Sequence, residues 1–271
     1  PFQNFRILGL NIRTMQTKYA TLAWQLHPDW TVRSQVSHFG LGYDLNTQQA
    51  NNFSQNLAEL GLDYNPRSGS VVGVQVRKTD GRYPNDVLVG TESINNSFTQ
   101  EDYKLKVVWL YSAKTKLQFL GGLTQRDRKS PTGGGGYRGF NARLVGDWAA
   151  TGKTGFVANL WREIGGVNDV DANFALTTGA SLGATYLPTA KLRVEGLVDV
   201  ERRNYNGASI VTGVTPSSRR DSYEKASLSL TYAPTTSLSI LLAVYRETLQ
   251  SNISNFGYVS NGVSLTSRYE F

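Results

Sequence analysis

Apolar and polar residues alternate strictly along most of this chain, and this pattern constrains the fold more than any other feature. In KLRVEGLVDVERR, Leu192, Val194 and Val198 fall on one face, whereas Arg193 and Glu195 fall on the other. The same alternation recurs in LAELGLDYNP, KLKVVWLYS, SLSLTYAP and SLSILLAVY. A period of two residues sustained over about ten positions predicts long β-strands with one polar and one apolar face. We therefore predict an all-β fold.

Short and long connections alternate between these strands. The short ones occur in HPDW, NPRSGS, SAKTK, ATGKTG, LPTAK and APTTS, and their Pro, Gly, Ser and Thr residues are typical of tight hairpin turns. Longer polar connections such as DLNTQQANNFSQN, PNDVLVGTESINNSF and KSPTGGGGYRG separate them. This arrangement predicts an antiparallel up-and-down transmembrane β-barrel in a bacterial outer membrane, with short periplasmic turns and long extracellular loops.

We expect about 14 strands (roughly 12–16) in a single domain that spans residues 1–271. The first two strands are expected near residues 4–14 and 18–27, joined by an unusually short outer connection at RTMQTK. A repeat of about forty residues also fits a β-propeller blade. A blade contains four short strands, however, where this chain offers two long ones, so the barrel is favoured.

Aromatic residues end the apolar face of many strands where these strands enter the short turns. Amphipathic rings are favourable at the headgroup level of a membrane, so rings at this depth favour a membrane barrel over a soluble sandwich. The last strand, VSLTSRYEF, ends on Phe, which is associated with outer-membrane barrels as an assembly signal. The predicted membrane-interface aromatics are Trp24, Tyr64, Trp109, Tyr111, Trp148, Tyr186, Tyr232, Tyr269 and Phe271.

Composition excludes several other classes of protein. The 28 Lys and Arg residues outnumber the 21 Asp and Glu residues, but the excess is spread along the chain without a basic tail, so we expect no nucleic-acid partner. The absence of cysteine excludes disulfides and thiolate metal sites. No apolar run is long enough to predict a membrane-spanning helix.

The segment GDWAATGKTG resembles a phosphate-binding loop at first sight. Five residues separate Gly146 from Gly152, however, which is one more than the motif has. The residues that follow alternate with a period of two, so the helix N-terminus that would hold a phosphate is missing. We predict a tight turn.

If the apolar face contacts lipid, the opposite face lines the lumen. Two interpretations of its charges stay open. In the first, successive basic side chains attract acidic sugars or other anions into the channel. In the second, the charges pair across strands and keep the interior solvated. The predicted pore-lining residues are Arg77, Lys104, Lys106, Arg126, Arg128, Arg143, Arg193, Arg203, Lys225, Arg268, Glu195 and Asp199.

Residues that would support catalysis or metal binding are few. The two histidines, His27 and His38, have no partner that the sequence places beside them to orient an imidazole. In NDVDAN, Asp169 and Asp171 have calcium-loop spacing, but the turn glycine and the closing glutamate of such a loop are missing. We therefore expect no enzymatic activity, no cofactor and no bound metal.

Three segments resemble the EpsL-like outer-membrane barrels of exopolysaccharide operons, the β-barrel porin type 2 group. They are VRKTDGRYPN (Val76 to Asn85), FNARLVGDWAATGKTGFVANLWRE (Phe140 to Glu163) and LSLTYAPTTSLSILLAVYRE (Leu228 to Glu247). In that family a strand ends in Trp, a Pro-Thr-Gly-Lys-Thr turn follows, and the next strand closes on Arg-Glu or Arg-Asp. This chain matches the pattern except that Ala150 replaces the usual proline.

The resemblance extends from about Asn52 to Phe271 and implies a role in the export of an extracellular polysaccharide. Because family members are longer at the N-terminus, we expect residues to be missing there. The implied partners are outer-membrane lipid and lipopolysaccharide, an anionic polysaccharide and periplasmic export components. Two alternatives remain, namely a general anion-leaning diffusion porin and a plugged structural barrel docked to a partner.

Overall fold

The computed structural model describes residues 11–89, 92–129, 136–165, 174–206, 219–254 and 256–270. Its strands are β1 (Arg13–His27), β2 (Trp30–Tyr43), β3 (Phe53–Tyr64), β4 (Val71–Arg82), β5 (Val87–Val89), β6 (Glu92–Ile94), β7 (Phe98–Ser112), β8 (Thr115–Arg128), β9 (Tyr137–Trp148), β10 (Thr154–Gly165), β11 (Phe174–Thr189), β12 (Leu192–Asn206), β13 (Arg220–Tyr232), β14 (Leu238–Ser251) and β15 (Tyr258–Tyr269). A short 3-10 helix, Asn46–Asn51, lies between β2 and β3.

All strands except β5 and β6 form one thirteen-stranded antiparallel sheet whose spatial order follows the chain. β5 and β6 pair only with each other, as a hairpin within the connection between β4 and β7. The predicted all-β, antiparallel up-and-down fold is confirmed, and thirteen strands lie within the expected range.

Strand β3 illustrates how the alternation distributes side chains between the two faces. Leu60 and Leu62 are 59% and 37% exposed, whereas Gly61 and Asp63 are buried. A soluble protein buries such leucines, because removing apolar surface from water drives folding. Exposed leucines opposite a buried aspartate are expected of a strand whose outer face contacts lipid.

The sheet curls around its polar face. Arg13 on β1 and Arg126 on β8 both belong to this face and line one cavity of about 380 Å³, although four strands lie between β1 and β8 in the sheet. The polar face is therefore the inside of the barrel, here called the lumen face, and the apolar face is the outside. β1 and β15 are the edge strands of the sheet and run in the same direction, as the odd number of strands requires.

The N-terminal part of the sheet differs from the expectation. β1 runs without interruption through RTMQTK, so the expectation of an outer connection there was wrong. Pairing with β2 is continuous from Arg13 opposite Tyr43 to Gln25 opposite Thr31. RTMQTK contains no Gly, Pro, Asn or Asp, which are the residues that favour tight turns, and this explains why the strand continues. The remainder of the strand expected near residues 4–14, residues 4–10, lies outside the described residues.

The connections follow the expected division into short turns and longer loops. In ATGKTG, the Thr151 Oγ1 accepts hydrogen bonds from the backbone N–H groups of Lys153 and Thr154, at 3.1 and 3.0 Å. The backbone N–H of Thr151 donates to the Thr154 carbonyl at 3.1 Å, so the segment is the predicted tight turn. Over the described ranges, no helix has the length and apolar character needed to cross a membrane.

Candidate functional site in the barrel lumen

The register of the sheet determines which side chains share the lumen face. Residues directly opposite each other on neighbouring strands lie on the same face. Arg77 pairs with Asp102, Lys106 pairs with Gly73, and Gly73 pairs with Asp63. Following these pairs around the sheet places every predicted pore-lining residue on the face of the buried Asp63 and Asp102. These residues are Arg77, Lys104, Lys106, Arg126, Arg128, Arg143, Arg193, Arg203, Lys225, Arg268, Glu195 and Asp199. Their role in lining an open pore stays a prediction.

One charged cluster joins β2, β3, β4 and β7 at the periplasmic end of the lumen face. Asp63, which is 4% exposed, accepts hydrogen bonds from Arg33 Nε at 2.5 Å and from Lys106 Nζ at 2.9 Å. Glu59 pairs with Arg77 at 2.6 Å. Each carboxylate in this cluster is therefore neutralised by bases from neighbouring strands. This part of the lumen follows the pairing interpretation.

A second cluster surrounds Asp102 on β7. Asp102 is 1% exposed and accepts hydrogen bonds from Thr124 Oγ1 at 2.5 Å and from Gln100 Nε2 at 3.0 Å. The Lys104 Nζ lies 3.8 Å from Asp102 Oδ1. A buried carboxylate is costly unless hydrogen bonds and a counter-charge compensate for its lost hydration, and all three partners supply this compensation.

Most ion pairs of the lumen face on β9 to β15 are more exposed, although Arg219 and Asp221 form a largely buried pair at 2.7 Å. The more exposed pairs are Arg143–Glu163 at 2.6 Å, Arg193–Glu195 at 2.7 Å, Arg268–Glu270 at 2.8 Å, and Arg203 with Glu201. Exposed pairs of this kind contribute at most about 1 kcal/mol each. Asp199 is directly opposite Lys225 in the register, yet its buried Oδ1 has no hydrogen-bond partner within the described residues. Apart from the Arg219–Asp221 pair, this side of the lumen is therefore less tightly paired.

An arginine packs between aromatic rings in the extracellular half of the lumen. The guanidinium carbon of Arg126, a residue 4% exposed, lies 3.4 Å from the centroid of the Phe98 ring and 5.9 Å from that of Phe174. The Phe174 ring contacts Tyr137 edge to face at 5.7 Å. Phe98 and Phe174 are themselves only 4% and 2% exposed. We call these four residues the aromatic–arginine cluster, and cation–π contacts of this geometry are favourable when desolvated.

Only some residues of the aromatic–arginine cluster could be predicted from the sequence. Arg126 was a predicted lumen residue, and the alternation of β7 extends upstream to Phe98 on the face of Asp102. That extension is the signal that would have identified Phe98. Strand parity alone misplaces Phe174, because it shares the parity of Leu176 and Tyr186 on the outer face, whereas its ring contacts Tyr137 on the lumen face.

Beside this cluster lies the cavity of about 380 Å³, which combines apolar walls with basic side chains. Arg13, Arg77 and Arg126 line it, whereas Asp102 is the one carboxylate in the described lining. Burial raises the pKa of the Tyr83 phenol above its ordinary value, and the nearby Arg126 opposes that rise. The apolar part of the lining consists mainly of Met15, Phe39, Leu41, Phe53, Leu57 and Phe98. A cavity with this excess of bases favours an anionic occupant that has an apolar surface.

The predicted interface aromatics lie on the outer face, at the ends of strands that enter the short turns. Most are about half exposed, and Trp30, which the sequence analysis missed, joins them with its ring centroid 5.0 Å from that of Tyr64. Phe271 lies outside the described residues. The residues placed there are Trp24, Tyr64, Trp109, Tyr111, Trp148, Tyr186, Tyr232 and Tyr269. Their contact with lipid headgroups stays a prediction.

The histidines do not form an arrangement that resembles a catalytic site. His38 pairs with Asn56 in the register, and its Nδ1 lies 2.7 Å from Asn56 Oδ1. His27 Nδ1 accepts a hydrogen bond of 3.4 Å from the backbone of Asp29 in the adjoining turn. Across the described ranges, no group of three or more acidic or histidine side chains is placed to hold a metal. The NDVDAN segment lies outside those ranges.

No protein-family model and no curated protein sequence matches this chain. Its fold is similar to that of the FrpB iron transporter from Neisseria meningitidis, with a TM-score of 0.65 at 9% identity over 96% of this chain and 49% of that one. The ferric-catecholate import receptor Fiu from E. coli has a TM-score of 0.57 at 10% identity, over 96% of this chain and 52% of that one. The siderophore receptor PirA from Acinetobacter baumannii has a TM-score of 0.53 at 14% identity, over 97% of this chain and 49% of that one. The chain thus spans about half the length of these neighbours.

At such low sequence identity, this likeness concerns the fold. The chain has an outer-membrane β-barrel fold similar to that of these transporters and receptors. This finding confirms the location in the bacterial outer membrane that the alternating pattern predicted.

Proposed function

We propose that this protein is an EpsL-like outer-membrane pore that assists the export of an acidic exopolysaccharide, without catalytic turnover. The observation that carries this proposal is the cavity on the lumen face, where three arginines lie among apolar and aromatic side chains. The three sequence segments that resemble the EpsL-like family support the same function.

The chemistry of an acidic sugar matches this lining. Its carboxylate suits guanidinium groups, which form charge-assisted hydrogen bonds with carboxylates, and the C–H face of its ring suits aromatic walls. Arg13 makes no ion pair within the described residues, so its charge is available to a passing carboxylate. Basic groups that line a constricted channel also favour the entry of anions over cations.

A closed barrel docked to a partner is the second candidate function. The aromatic–arginine cluster favours it, because Phe98, Arg126 and Phe174 are each less than 5% exposed and occupy the extracellular half of the lumen. A general diffusion porin shares the basic lumen of the first proposal but needs no affinity for a sugar.

Two experiments separate these functions. The first is deletion of the gene with quantification of secreted polymer, where export predicts a loss of secretion that the wild-type gene restores. The second is block of the single-channel current in a planar bilayer by oligogalacturonate, with a neutral malto-oligosaccharide of equal length as the comparison. Export predicts block by the acidic oligomer alone, and a diffusion porin predicts equal, weak block by both.

Arg13→Gln provides the variant for the blocking experiment, and Arg67→Gln in the periplasmic turn between β3 and β4 is its matched control. We expect Arg13→Gln to weaken block by oligogalacturonate roughly tenfold, the size of effect of one charge-assisted hydrogen bond. Arg67→Gln should leave block unchanged. Unimpaired secretion after deletion, together with equal block by both oligomers, would overturn the export proposal.

A further inference from the structure

The outer face of the barrel carries a ring of basic side chains at the extracellular end of its apolar band. On six strands, the first charged residue of the outer face on the way from the apolar band to the loops is basic, and all six side chains are exposed. We call these residues the basic belt. They are Lys18 on β1, Lys78 on β4, Arg138 on β9, Arg162 on β10, Arg202 on β12 and Arg246 on β14. On β7, β8 and β13 the corresponding residues are Glu101, Asp127 and Glu224.

The register places the basic belt outside the lumen. Lys78 is opposite Ala58, Arg138 is opposite Gln125, and Arg162 is opposite Ala142. Two residues away from these partners, on the same face of each strand, lie exposed apolar side chains such as Leu60 and Leu123. The belt therefore forms the boundary between the lipid-facing apolar band and the extracellular loops.

Most of the belt lacks a counter-charge. Lys78 pairs with Glu101 at 3.3 Å. The other five bases make no ion pair within the part of the chain that the structure describes. The lumen face differs, because there most bases pair with a carboxylate. A series of exposed, uncompensated bases at headgroup level is the arrangement that attracts an anionic membrane surface.

On β1 to β4 the belt borders a recess of about 610 Å³ in the outer face. Ala20, Val36 and Ala58 line its apolar part, and Lys18 and Lys78 lie at its edge. The small alanine side chains create the recess, since larger residues at these positions would fill it. It thus offers apolar contact next to positive charge.

Other polar groups around this recess leave the bases in excess. His38 and Asn56 contact each other, with the His38 Nδ1 2.7 Å from Asn56 Oδ1. Asp80 also lines the recess, but Lys129 at 2.7 Å and Arg82 at 2.9 Å already neutralise its carboxylate. Counting these two bases, the surroundings of the recess carry more positive than negative charge.

We propose that the basic belt binds the phosphate groups of the phosphorylated glycolipid in the outer leaflet, with the recess on β1 to β4 as its best-formed site. The long loops place the belt at the extracellular side, and this side faces that leaflet. Phosphates accept charge-assisted hydrogen bonds from Lys and Arg, and the aliphatic stems of these side chains stay on apolar surface while their charged ends reach the headgroups. This inference is independent of what passes through the lumen.

The test is a titration of fluorescent bisphosphorylated lipid A with the refolded protein in neutral detergent, followed by anisotropy. Dephosphorylated lipid A and phosphatidylglycerol are titrated in parallel. We expect the Kd for bisphosphorylated lipid A to be at least tenfold lower than for either comparison lipid. The triple variant Lys18→Gln, Arg138→Gln, Arg202→Gln, which includes the unpaired base of the recess, should raise that Kd roughly ten- to hundredfold, since each base near an anionic surface contributes about a fivefold gain.

The matched control is Lys114→Gln, Lys153→Gln, Lys191→Gln, which removes the same charge at the periplasmic turns and should leave the Kd unchanged. Heat-dependent gel migration verifies that each variant is a folded barrel. If the belt variant does not fold, Ala58→Leu replaces it, because this change fills the recess without altering charge and should also weaken binding. Equal affinity for phosphorylated and dephosphorylated lipid A, equal affinity for phosphatidylglycerol, or equal loss in both triple variants would overturn the proposal.

Discussion

The Lys106 Nζ donates a hydrogen bond of 2.9 Å to Asp63 Oδ2 across the whole width of β4, the strand that separates β3 from β7. Gly73 is the residue of β4 that lies between them in the register. A Cβ atom at this glycine would stand 2.1 Å from Asp63 Oδ1 and 2.8 Å from the Leu62 carbonyl oxygen. The missing side chain at Gly73 is therefore what allows this ion pair to form.

Removal of the Asp63 carboxylate should destabilise the barrel strongly. Asp63→Ala leaves the half-buried Arg33 and Lys106 facing each other without their counter-charge, and we expect a loss of about 3 kcal/mol in the free energy of unfolding. The measurement is equilibrium urea unfolding in lipid vesicles, followed by tryptophan fluorescence. Glu195→Ala is the control, because its exposed pair with Arg193 contributes less than about 1 kcal/mol. Equal losses in both variants would contradict the buried network.

A side chain at Gly73 should have a similar effect for a steric reason. In Gly73→Ala the new methyl group collides with the Asp63 carboxylate and with backbone, so we expect a loss of about 1–3 kcal/mol in the same unfolding experiment. Gly152→Ala in the ATGKTG turn is the matched control, because a Cβ there meets no atom within 4 Å. A stable Gly73→Ala protein would show that Asp63 and Lys106 do not pair across β4.

The assignment of faces predicts opposite behaviour for two tryptophans. Trp148 lies on the outer face and is 52% exposed, whereas Trp161 pairs with Arg143 and Gly179 on the lumen face. In variants that retain only one tryptophan, brominated lipids should quench the fluorescence of Trp148 strongly and that of Trp161 weakly, because bromine quenches on contact. Strong quenching of Trp161 would mean that the two faces have been exchanged.

The aromatic–arginine cluster should limit the current through the barrel. Phe174→Ala removes a ring that covers Arg126 and Tyr137, so we expect a larger single-channel conductance than in the wild type. Phe140→Ala is the matched control, since this ring is on the outer face and 51% exposed. Unchanged conductance in Phe174→Ala would show that the narrowest part of the lumen lies elsewhere.

Most of the fold followed from periodicity alone. From Trp30 onward, long strands alternate with turns of recognisable chemistry, and each side chain's face follows from strand parity. The error at RTMQTK arose because a polar stretch was interpreted as a connection, although Thr and Met are compatible with a strand that faces a polar lumen. Hairpin β5–β6 was missed because its strands are three residues each, too short for a period to be visible.

The contacts between side chains on non-adjacent strands could not be predicted from the sequence. Parity placed Arg33, Asp63 and Lys106 on the lumen face, but their meeting depends on the register across three pairs of strands. The recess at Ala20 and Ala58 likewise depends on how β1 to β4 align. The face of a side chain could be predicted along the strands, with Phe174 at the first position of β11 as an exception, whereas the partners of a side chain could not.

An enclosed lumen with an excess of basic side chains underlies the proposed function. The measurement that tests it most directly is the reversal potential of the refolded wild-type protein in a planar bilayer under a potassium chloride gradient. We expect a steady conductance with a reversal potential displaced towards that of chloride, because basic side chains favour the passage of anions. A reversal potential displaced towards that of potassium, or the absence of any steady conductance, would contradict it.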